Sequence, residues 1–305
     1  LYVTHRLGEV MRMADRFTIL RDGKRVGVFR RGEIDRDEIV RLMAKDTLSA
    51  PQRTPAASRA ERRGRPLRVS NLSSARRFRN ISIDAKPGQI VGIAGVQGSG
   101  HGHFLRALAG VDEPDGGEVR VGEERLTLGS VRHAVANGLL MVPADRRGAA
   151  IVPTLSIRAN LVLPNNIRRN ARRFGLRWPG REKELAAAYV DRLSIRPPNP
   201  EARIGSLSGG NQQKAAIARA LESDAQVLLI EEPTQGVDVG AKAEIHALLR
   251  SVSRERDCAV VIATSEFEEI VGLADVVHVM REGRLVSSFP GEEATYRRIL
   301  ENALS

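Results

Sequence analysis

Cysteine, aromatic side chains and long apolar runs are all scarce in this chain of 305 residues. Its single cysteine, Cys258, excludes an intrachain disulfide framework and is expected to be a buried strand residue, because it adjoins an apolar run. No apolar run approaches the roughly 18 residues of a membrane span, and no basic-then-apolar leader opens the sequence. Aromatic residues make up 4% and do not alternate with arginines, which argues against binding of single-stranded nucleic acid.

The composition is that of a globular protein whose charge is unevenly distributed. Hydrophobic residues make up 42% and charged residues 28%, enough to bury a core over one or two domains, and the formal net charge is +11. Nine arginines lie between residues 51 and 80, where Glu61 is the only acid and prolines recur. This stretch predicts a linker over residues 49–66, either a solvated tether or a patch for anionic lipid or an acidic partner.

Residues 1–45 are echoed by residues 261–305 at a constant offset of 260 positions, without a gap. Ala14–Asp15 matches Ala274–Asp275, and Arg21–Lys24 matches Arg281–Arg284. A period this long is typical of duplicated domains rather than of stacked solenoid motifs. The chain also opens on Leu1 instead of Met, so we expect a C-terminal fragment in which the first copy survives only as its tail.

Short apolar runs alternate with helical patterns from about residue 67 to residue 290, which predicts an α/β sheet domain. The runs predict strands at Gln89–Ala94, Val227–Ile230 and Ala259–Ala263. Apolar residues at spacings of three and four predict helices at Glu182–Leu193 and Gln212–Glu222, within a helical insertion over about residues 145–222.

A glycine-rich turn follows the first predicted strand and leads into a helix predicted over Phe104–Ala109. Inward-facing backbone N–H groups and the positive end of a helix dipole together make an anion-binding phosphate loop. The candidate ATP-binding residues of this loop are Gly95, Gly98, Ser99, Gly100, His101 and Gly102. The motif requires Lys and then Ser or Thr at its last two positions, so His101 and Gly102 predict loss of a charged phosphate contact and of a magnesium-ligating hydroxyl. Taken alone, the turn could instead serve close packing.

Two further motifs carry anion-binding and acid–base groups. The segment Leu207–Lys214, with the sequence LSGGNQQK, begins a helix and forms a second candidate anion site. Its candidate ATP-binding residues are Ser208, Gly209, Gly210 and Gln212. The strand Val227–Ile230 ends in two carboxylates, Glu231 and Glu232, and the turn after them contains Asp238.

In this order, the phosphate loop, the LSGG signature, the glutamates and the Asp238 turn resemble the nucleotide-binding domain of ATP-binding cassette transporters. The resemblance implies an α/β P-loop NTPase fold with a core sheet, an antiparallel β subdomain and a helical subdomain. LSGGNQQK, the run Glu232–Lys242 and Pro143–Arg147 are more narrowly similar to the second cassette of fused proteins that energise bacterial import of ribose, xylose and galactosides. Ala144 departs from the Glu usual in that family. Residues 1–48 would be the end of a first cassette, and residues 67–305 the second.

The resemblance implies that two cassettes pair head to tail, with each ATP between the phosphate loop of one cassette and the signature of the other. One nucleotide would be served by residues that fit the family pattern: His5 at the switch position of the first cassette, with Ser208, Gly209, Gly210 and Asp238. The other would be served by residues that depart from it: His101, Gly102, Glu231 in place of Asp, and Ser265 in place of the switch histidine. We therefore expect one hydrolytic and one degenerate site. The candidate catalytic residues are His5 and Glu232, of which Glu232 keeps a general-base carboxylate on the degenerate side and leaves slow hydrolysis open there. Glu231 is expected to be a weak magnesium ligand.

The function implied by the resemblance is ATP hydrolysis with Mg²⁺ at the cytoplasmic face of a membrane. Separate permease subunits would contact the helical subdomain, a sugar-binding protein would act indirectly, and no nucleic-acid partner is expected. Two alternatives are a soluble twin-cassette ATPase that acts on ribosomes or nucleic acid and a non-catalytic regulatory cassette. The sequence does not specify the cargo.

Overall fold

A computed structural model of the chain describes residues 7–21, 24–35, 38–39, 42, 64–170 and 179–304. Its strands are β1 (Arg16–Arg21), β2 (Lys24–Arg30), β3 (Leu67–Ser74), β4 (Phe78–Ala85), β5 (Ile90–Ala94), β6 (Gly116–Val121), β7 (Glu124–Arg125), β8 (Leu139–Val142), β9 (Val227–Glu231), β10 (Ala259–Thr264), β11 (Val276–Arg281) and β12 (Arg284–Pro290). Its helices are α1 (Leu7–Met13), α2 (His101–Leu108), α3 (Val131–Ala136), α4 (Ile157–Asn170), α5 (Pro179–Arg192), α6 (Gly209–Glu222), α7 (Val239–Glu255), α8 (Phe267–Ile270) and α9 (Tyr296–Leu304).

The central sheet has the strand order β12-β11-β5-β10-β9-β8. All neighbours pair in parallel except β12, which pairs antiparallel with β11. Every residue of β5 and β10 is buried, as continuous apolar runs in a parallel sheet covered on both faces should be. The three strands predicted from the sequence are confirmed as β5, β9 and β10. Since β5 and β9 both pair with β10, the segments that follow them emerge at the same edge of the sheet.

A second, antiparallel sheet has the order β4-β3-β6-β7. Buried and exposed positions alternate along most of β4, the period expected of a strand with one face on the core. Phe78 of β4 packs edge-on against Phe104 of α2, with ring centroids 5.5 Å apart. This contact joins the predicted antiparallel β subdomain, which is confirmed, to the helix after the phosphate loop.

The helices between β8 and β9 confirm the predicted helical subdomain, and individual helices begin earlier than the sequence predicted. The predicted helix Gln212–Glu222 begins earlier, at Gly209, and the predicted helix Glu182–Leu193 begins earlier, at Pro179, a residue favoured in a first turn. The helix expected over Phe104–Ala109 runs over His101–Leu108, because Gly100 turns the chain with a φ of 96° directly before it. Cys258 is buried as predicted, but it precedes β10 instead of lying within it.

The repeat seen in the sequence recurs in the geometry of two hairpins. The hairpin β1–β2 pairs Arg16 with Arg30, and the hairpin β11–β12 pairs Val276 with Pro290, the positions 260 residues further on. Each ladder is interrupted once, between Ile19 and Leu20 in the first hairpin and at the equivalent Val279/Met280 step in the second. Register and irregularity therefore coincide in both copies. The duplication of a whole domain stays a prediction.

Two predicted features fall largely outside the described residues. His5 lies there, and so does the part of the predicted linker from residue 49 to residue 63. Arg65, at the end of that linker, donates to the carbonyls of Val121 at 2.6 Å and Asn137 at 3.3 Å. Within the described ranges, no helix combines the length and the apolar character needed to cross a bilayer.

Candidate functional site

The loop between β5 and α2 has the backbone of an anion cradle. Gly98 and Gly100 have φ values of 86° and 96°, in the left-handed region where a side chain would be strained. A Cβ added at Gly98 would meet no atom within 4 Å, so the loop is open there. In turns of this kind, backbone N–H groups and the start of the following helix can bind an anion. This backbone fits the phosphates of a nucleotide.

His101 occupies the lysine position of the loop, but its imidazole is held inside the protein. The residue is only 7% exposed. Its Nδ1 lies 2.7 Å from the Ser99 hydroxyl, and its Nε2 lies 3.6 Å from Oε1 of Glu232. His101 therefore links the phosphate loop to the end of β9.

Both carboxylate oxygens of Glu232 are engaged by neighbouring groups. Oε1 accepts a hydrogen bond from the Ser265 amide at 2.8 Å and faces His101, and Oε2 accepts one from the Thr264 hydroxyl at 2.8 Å. Burial by itself raises the pKa of this carboxyl, but the hydrogen bonds from His101, Thr264 and Ser265 together outweigh burial and lower the pKa below its usual value. The backbone of Glu232 is left-handed, with a φ of 47°. The predicted general base is thus ionised and held by its own domain.

Glu231 lies beside Gly102, the position at which the motif requires Ser or Thr. A Cβ added to Gly102 would overlap Oε1 of Glu231 and come within 3.3 Å of its Cδ. Oε2 of Glu231 accepts a hydrogen bond from the backbone amide of Ala144 at 3.3 Å. The carboxylate therefore occupies the space that a hydroxyl side chain at residue 102 would need.

Magnesium requires oxygen ligands, and most of them would have to come from a nucleotide here. In the described parts of the chain, no three His, Cys, Asp or Glu side chains gather around one point. Mg²⁺ at nucleotide sites is commonly held by one or two carboxylates plus phosphate oxygens. Glu231 is such a carboxylate, next to the phosphate cradle, so the residues present fit that donor set.

The signature segment is positioned by the start of α6. Ser208 precedes α6, and its exposed hydroxyl accepts a hydrogen bond from the Asn211 side chain at 2.9 Å. A Cβ on Gly210 would lie 2.6 Å from that of Ala241, so glycine is needed for α6 to approach α7. Gln212 is 2% exposed and donates to the Leu207 carbonyl at 3.0 Å. Its ATP-binding role stays a prediction.

The remaining predicted residues lie at turns after strands. Asp238 caps α7 by accepting a hydrogen bond from the Ala241 amide at 2.9 Å. Ser265 follows β10 and borders a shallow depression of about 360 Å³, which Val96 and Gln97 of the phosphate loop also line. The structure thus brings Ser265 to the phosphate loop and to Glu232.

Sequence reasoning missed Arg146, although it noted the segment Pro143–Arg147. The guanidinium donates to the Gly209 carbonyl at 3.3 Å and lies 3.3 Å from where a Cβ of Gly236 would stand. Burial, and then the charge of Arg147, lower the pKa of Arg146. The same short segment carries the Ala144 amide that binds Glu231. It therefore bridges the carboxylate beside the phosphate loop and the signature glycines.

Residues 78–235, just over half of the chain, match the ABC transporter family. The chain belongs to this family. The chain is 39% identical over 303 residues to a ribose import ATP-binding protein of Rubrobacter xylanophilus, covering 99% of this chain and 57% of that protein. It is 36% identical over 302 residues to a ribose import ATP-binding protein of Bacillus subtilis, covering 98% of this chain and 60% of that protein. An arabinose import ATP-binding protein of Burkholderia ambifaria is 35% identical over 316 residues, covering all of this chain and 58% of that protein.

Solved structures show the same cassette fold. A dimeric ATP-binding cassette in a post-hydrolysis state with ADP and Pi superposes with a TM-score of 0.63 at 22% identity, over 73% of this chain and 98% of that one. An ADP-bound cassette of another ABC transporter superposes with a TM-score of 0.65 at 19% identity, over 79% of this chain and 99% of that one. The P-loop NTPase fold predicted from the sequence is confirmed. The chain spans less than two thirds of the length of the import proteins it matches.

Proposed function

We propose that this chain is the C-terminal part of a two-cassette ATPase that energises import of a small sugar through a separate membrane permease. The observation that carries the proposal is the pair of hairpins with one register, 260 residues apart, the first of which precedes the cassette. Import ATP-binding proteins for ribose and arabinose align with almost the whole chain, including its first 60 residues. They support a sugar as the cargo.

ATP hydrolysis is the reaction proposed for the assembled protein. Bound Mg²⁺ would neutralise charge on the phosphates, and backbone N–H groups would stabilise charge on the transferring group. In this chain the phosphate loop offers such N–H groups to one nucleotide, and Ser208, Gly209 and Gly210 at the start of α6 offer them to a second. Arg146, held at Gly209, adds positive charge at this second site.

The two nucleotide sites are proposed to be unequal. The site around this chain's own loop contains His101 and Gly102 in place of Lys and Ser or Thr, and its glutamate, Glu232, is bound by three neighbouring residues. A carboxylate that already accepts hydrogen bonds at both oxygens is poorly placed to take a proton from water. The site formed by His5 of the first cassette and Ser208 of the second retains the family residues. We assign hydrolysis to that site.

Partners follow from the same proposal. The other cassette would lie in cis, upstream in the same polypeptide, and the helical insertion would contact permease subunits at the cytoplasmic face of the membrane. A sugar-binding protein would act through the permease. The bound nucleotide would close the two cassettes, and its hydrolysis would reopen them.

Two substitutions in the full-length protein, reconstituted with its permease, test the assignment of sites. Ser208→Arg places a long side chain in the signature and should abolish sugar-stimulated ATP hydrolysis, whereas His101→Ala should leave most of it. The measurement is the rate of phosphate release with and without sugar and binding protein. Ser206→Arg is the matched control, because Ser206 is exposed and lies two residues away.

The pattern of rates separates the possible outcomes. Loss of hydrolysis with His101→Ala and retention with Ser208→Arg would reverse the two sites. Unchanged hydrolysis in both variants would instead make this chain a non-catalytic module.

A further inference from the structure

We propose that Oε1 of Glu231 takes the place of the missing hydroxyl at residue 102 and directly ligates the divalent cation of the nucleotide bound at this chain's phosphate loop. The inference rests on the proposed function only in that a nucleotide binds there. It makes Gly102 and Glu231 a matched pair. The degenerate loop then keeps its cation although it lacks the motif's hydroxyl.

The first support is steric. Gly102 is the second residue of α2, and the space where its Cβ would stand is already taken by Oε1 of Glu231. Aspartate, the usual residue at the end of this strand, is shorter by one methylene group and would not reach that space from the same backbone position. The longer side chain at 231 and the absent side chain at 102 are therefore complementary.

The second support is the orientation of the carboxylate. The Ala144 amide donates to Oε2 at 3.3 Å, which leaves Oε1 directed at the loop. Among the described residues, Glu231 forms no ion pair with a Lys, Arg or His side chain. A partly buried carboxylate with an oxygen beside a phosphate cradle is suited to a divalent cation, which one carboxylate and phosphate oxygens can hold together.

His101 and Glu232 do not compete for this role. Their side chains bind each other and Ser99, Thr264 and Ser265, so they lie outside the cation's donor set. Cation binding and general-base catalysis, which usually act together, are then separated in this pocket. Glu231 holds a cation, while the carboxylate of Glu232 is already bound by its neighbours.

The affinity of the 305-residue chain for ADP, measured by calorimetry in Mg²⁺ and in EDTA, tests the ligand. Mg²⁺ should strengthen ADP binding by about tenfold or more in the wild type, because loss of a metal-positioning group typically costs 10- to 100-fold. Glu231→Gln keeps the shape but not the charge, and Glu231→Asp keeps the charge but not the reach. Both should reduce the effect of Mg²⁺ to about twofold. Glu231→Gln also removes a negative charge beside the phosphates, so its affinity for ADP in EDTA should not fall.

The double variant Gly102→Ser/Glu231→Asp should restore the effect of Mg²⁺, since it returns both positions to the usual motif. A wild-type chain that binds no ADP, or binds it equally in Mg²⁺ and EDTA, overturns the proposal. So does a Glu231→Asp variant that keeps the full effect.

Thermal unfolding without nucleotide gives a second readout that is independent of transport and hydrolysis. Gly102→Ser should lower the Tm in the wild type, where the new side chain meets Glu231, and should lower it much less in the Glu231→Asp background. The matched control is Gly180→Ser, at an exposed helical glycine with no atom within 4 Å of a new Cβ; it should have the same small effect in both backgrounds. Equal losses from Gly102→Ser in both backgrounds would remove the steric basis of the pair.

Discussion

Glu269 is a buried carboxylic acid on the helix α8, next to the segment that follows β9. It is 2% exposed, and its Oε1 accepts hydrogen bonds from the amide and the hydroxyl of Thr234. Among the described residues, its Oε2 has no hydrogen-bond partner. Burial raises the pKa of Glu269 from 4.5 to about 7. Hydrogen bonding to Thr234 and Thr264 opposes this rise, and of the nearby charges Glu266 adds to it while Lys242 opposes it.

This raised pKa predicts a pH dependence of stability. The folded state holds the proton between about pH 4.5 and pH 7, where the unfolded chain has lost it, so stability falls as the pH rises through that window. The loss is on the order of 3 kcal/mol, since each pKa unit corresponds to about 1.4 kcal/mol. Urea unfolding of Glu269→Gln at pH 5 and pH 8 should show a smaller loss than the wild type. Glu268→Gln, at an exposed neighbour, should change nothing, and an equally steep fall in Glu269→Gln would contradict the assignment.

The sequence predicted a glycine-rich phosphate loop, but not what its side chains touch. Gly98 and Gly100 adopt left-handed backbone angles, at which other residues are strained. The substitutions His101 and Gly102 signalled only lost contacts. His101 contacts Glu232, and Gly102 lies against Glu231. These contacts depend on where the strand β9, distant in sequence, ends, and no local sequence pattern predicts that.

Lys214 of α6 connects three helices of the cassette. It is 6% exposed, donates to the Leu193 carbonyl just after α5 at 3.0 Å, and forms an ion pair with Glu244 of α7. A cation after a helix C-terminus also interacts favourably with the helix dipole. The signature helix is thereby fixed to both of its neighbours.

Replacing this lysine should loosen the helical insertion. Lys214→Met keeps much of the apolar volume but leaves the Leu193 carbonyl without its charged donor, so the free energy of unfolding should fall by about 1–3 kcal/mol. Chemical denaturation followed by circular dichroism measures it. Lys183→Met, at an exposed position of α5, is the control and should change stability by less than about 0.5 kcal/mol. Similar losses in the two variants would mean that the buried contacts of Lys214 contribute little.

The sequence predicted that the two copies of the repeat would be alike, but not the details that their hairpins share. The repeat in the sequence predicts that its two copies share one structure, but it does not by itself show that the shared element is a hairpin. The shared interruption of the ladder, at Ile19/Leu20 and Val279/Met280, became visible only in the strand pairing. Helix starts also needed the structure, since α6 begins at the signature glycine Gly209, a residue with weak helical propensity.

The reactivity of the Cys258 thiol measures how often the central sheet of the cassette opens. It is fully buried at the entry to β10, and burial raises the pKa of its thiol from 9.0 to about 12. As the chain's single cysteine, it should react with a thiol reagent only when the central sheet opens, at least about three orders of magnitude more slowly than in urea. Val286→Cys, on the exposed edge strand β12, should add one fast-reacting thiol. Fast labelling of the native wild type would show that the sheet opens locally.

The order of residues by itself indicated the family, three strands of the central sheet, the phosphate loop and the signature helix. Each depends on signals close together in the chain: apolar runs, glycines at special backbone angles, and small residues before a helix. Tertiary structure alone decided that His101 binds Glu232 and that Glu231 fills the space beside Gly102. The physical reason is the strand order, since β5 and β9 flank β10 and bring their following segments to one edge of the sheet, where a side chain longer by one methylene group meets a residue with no side chain.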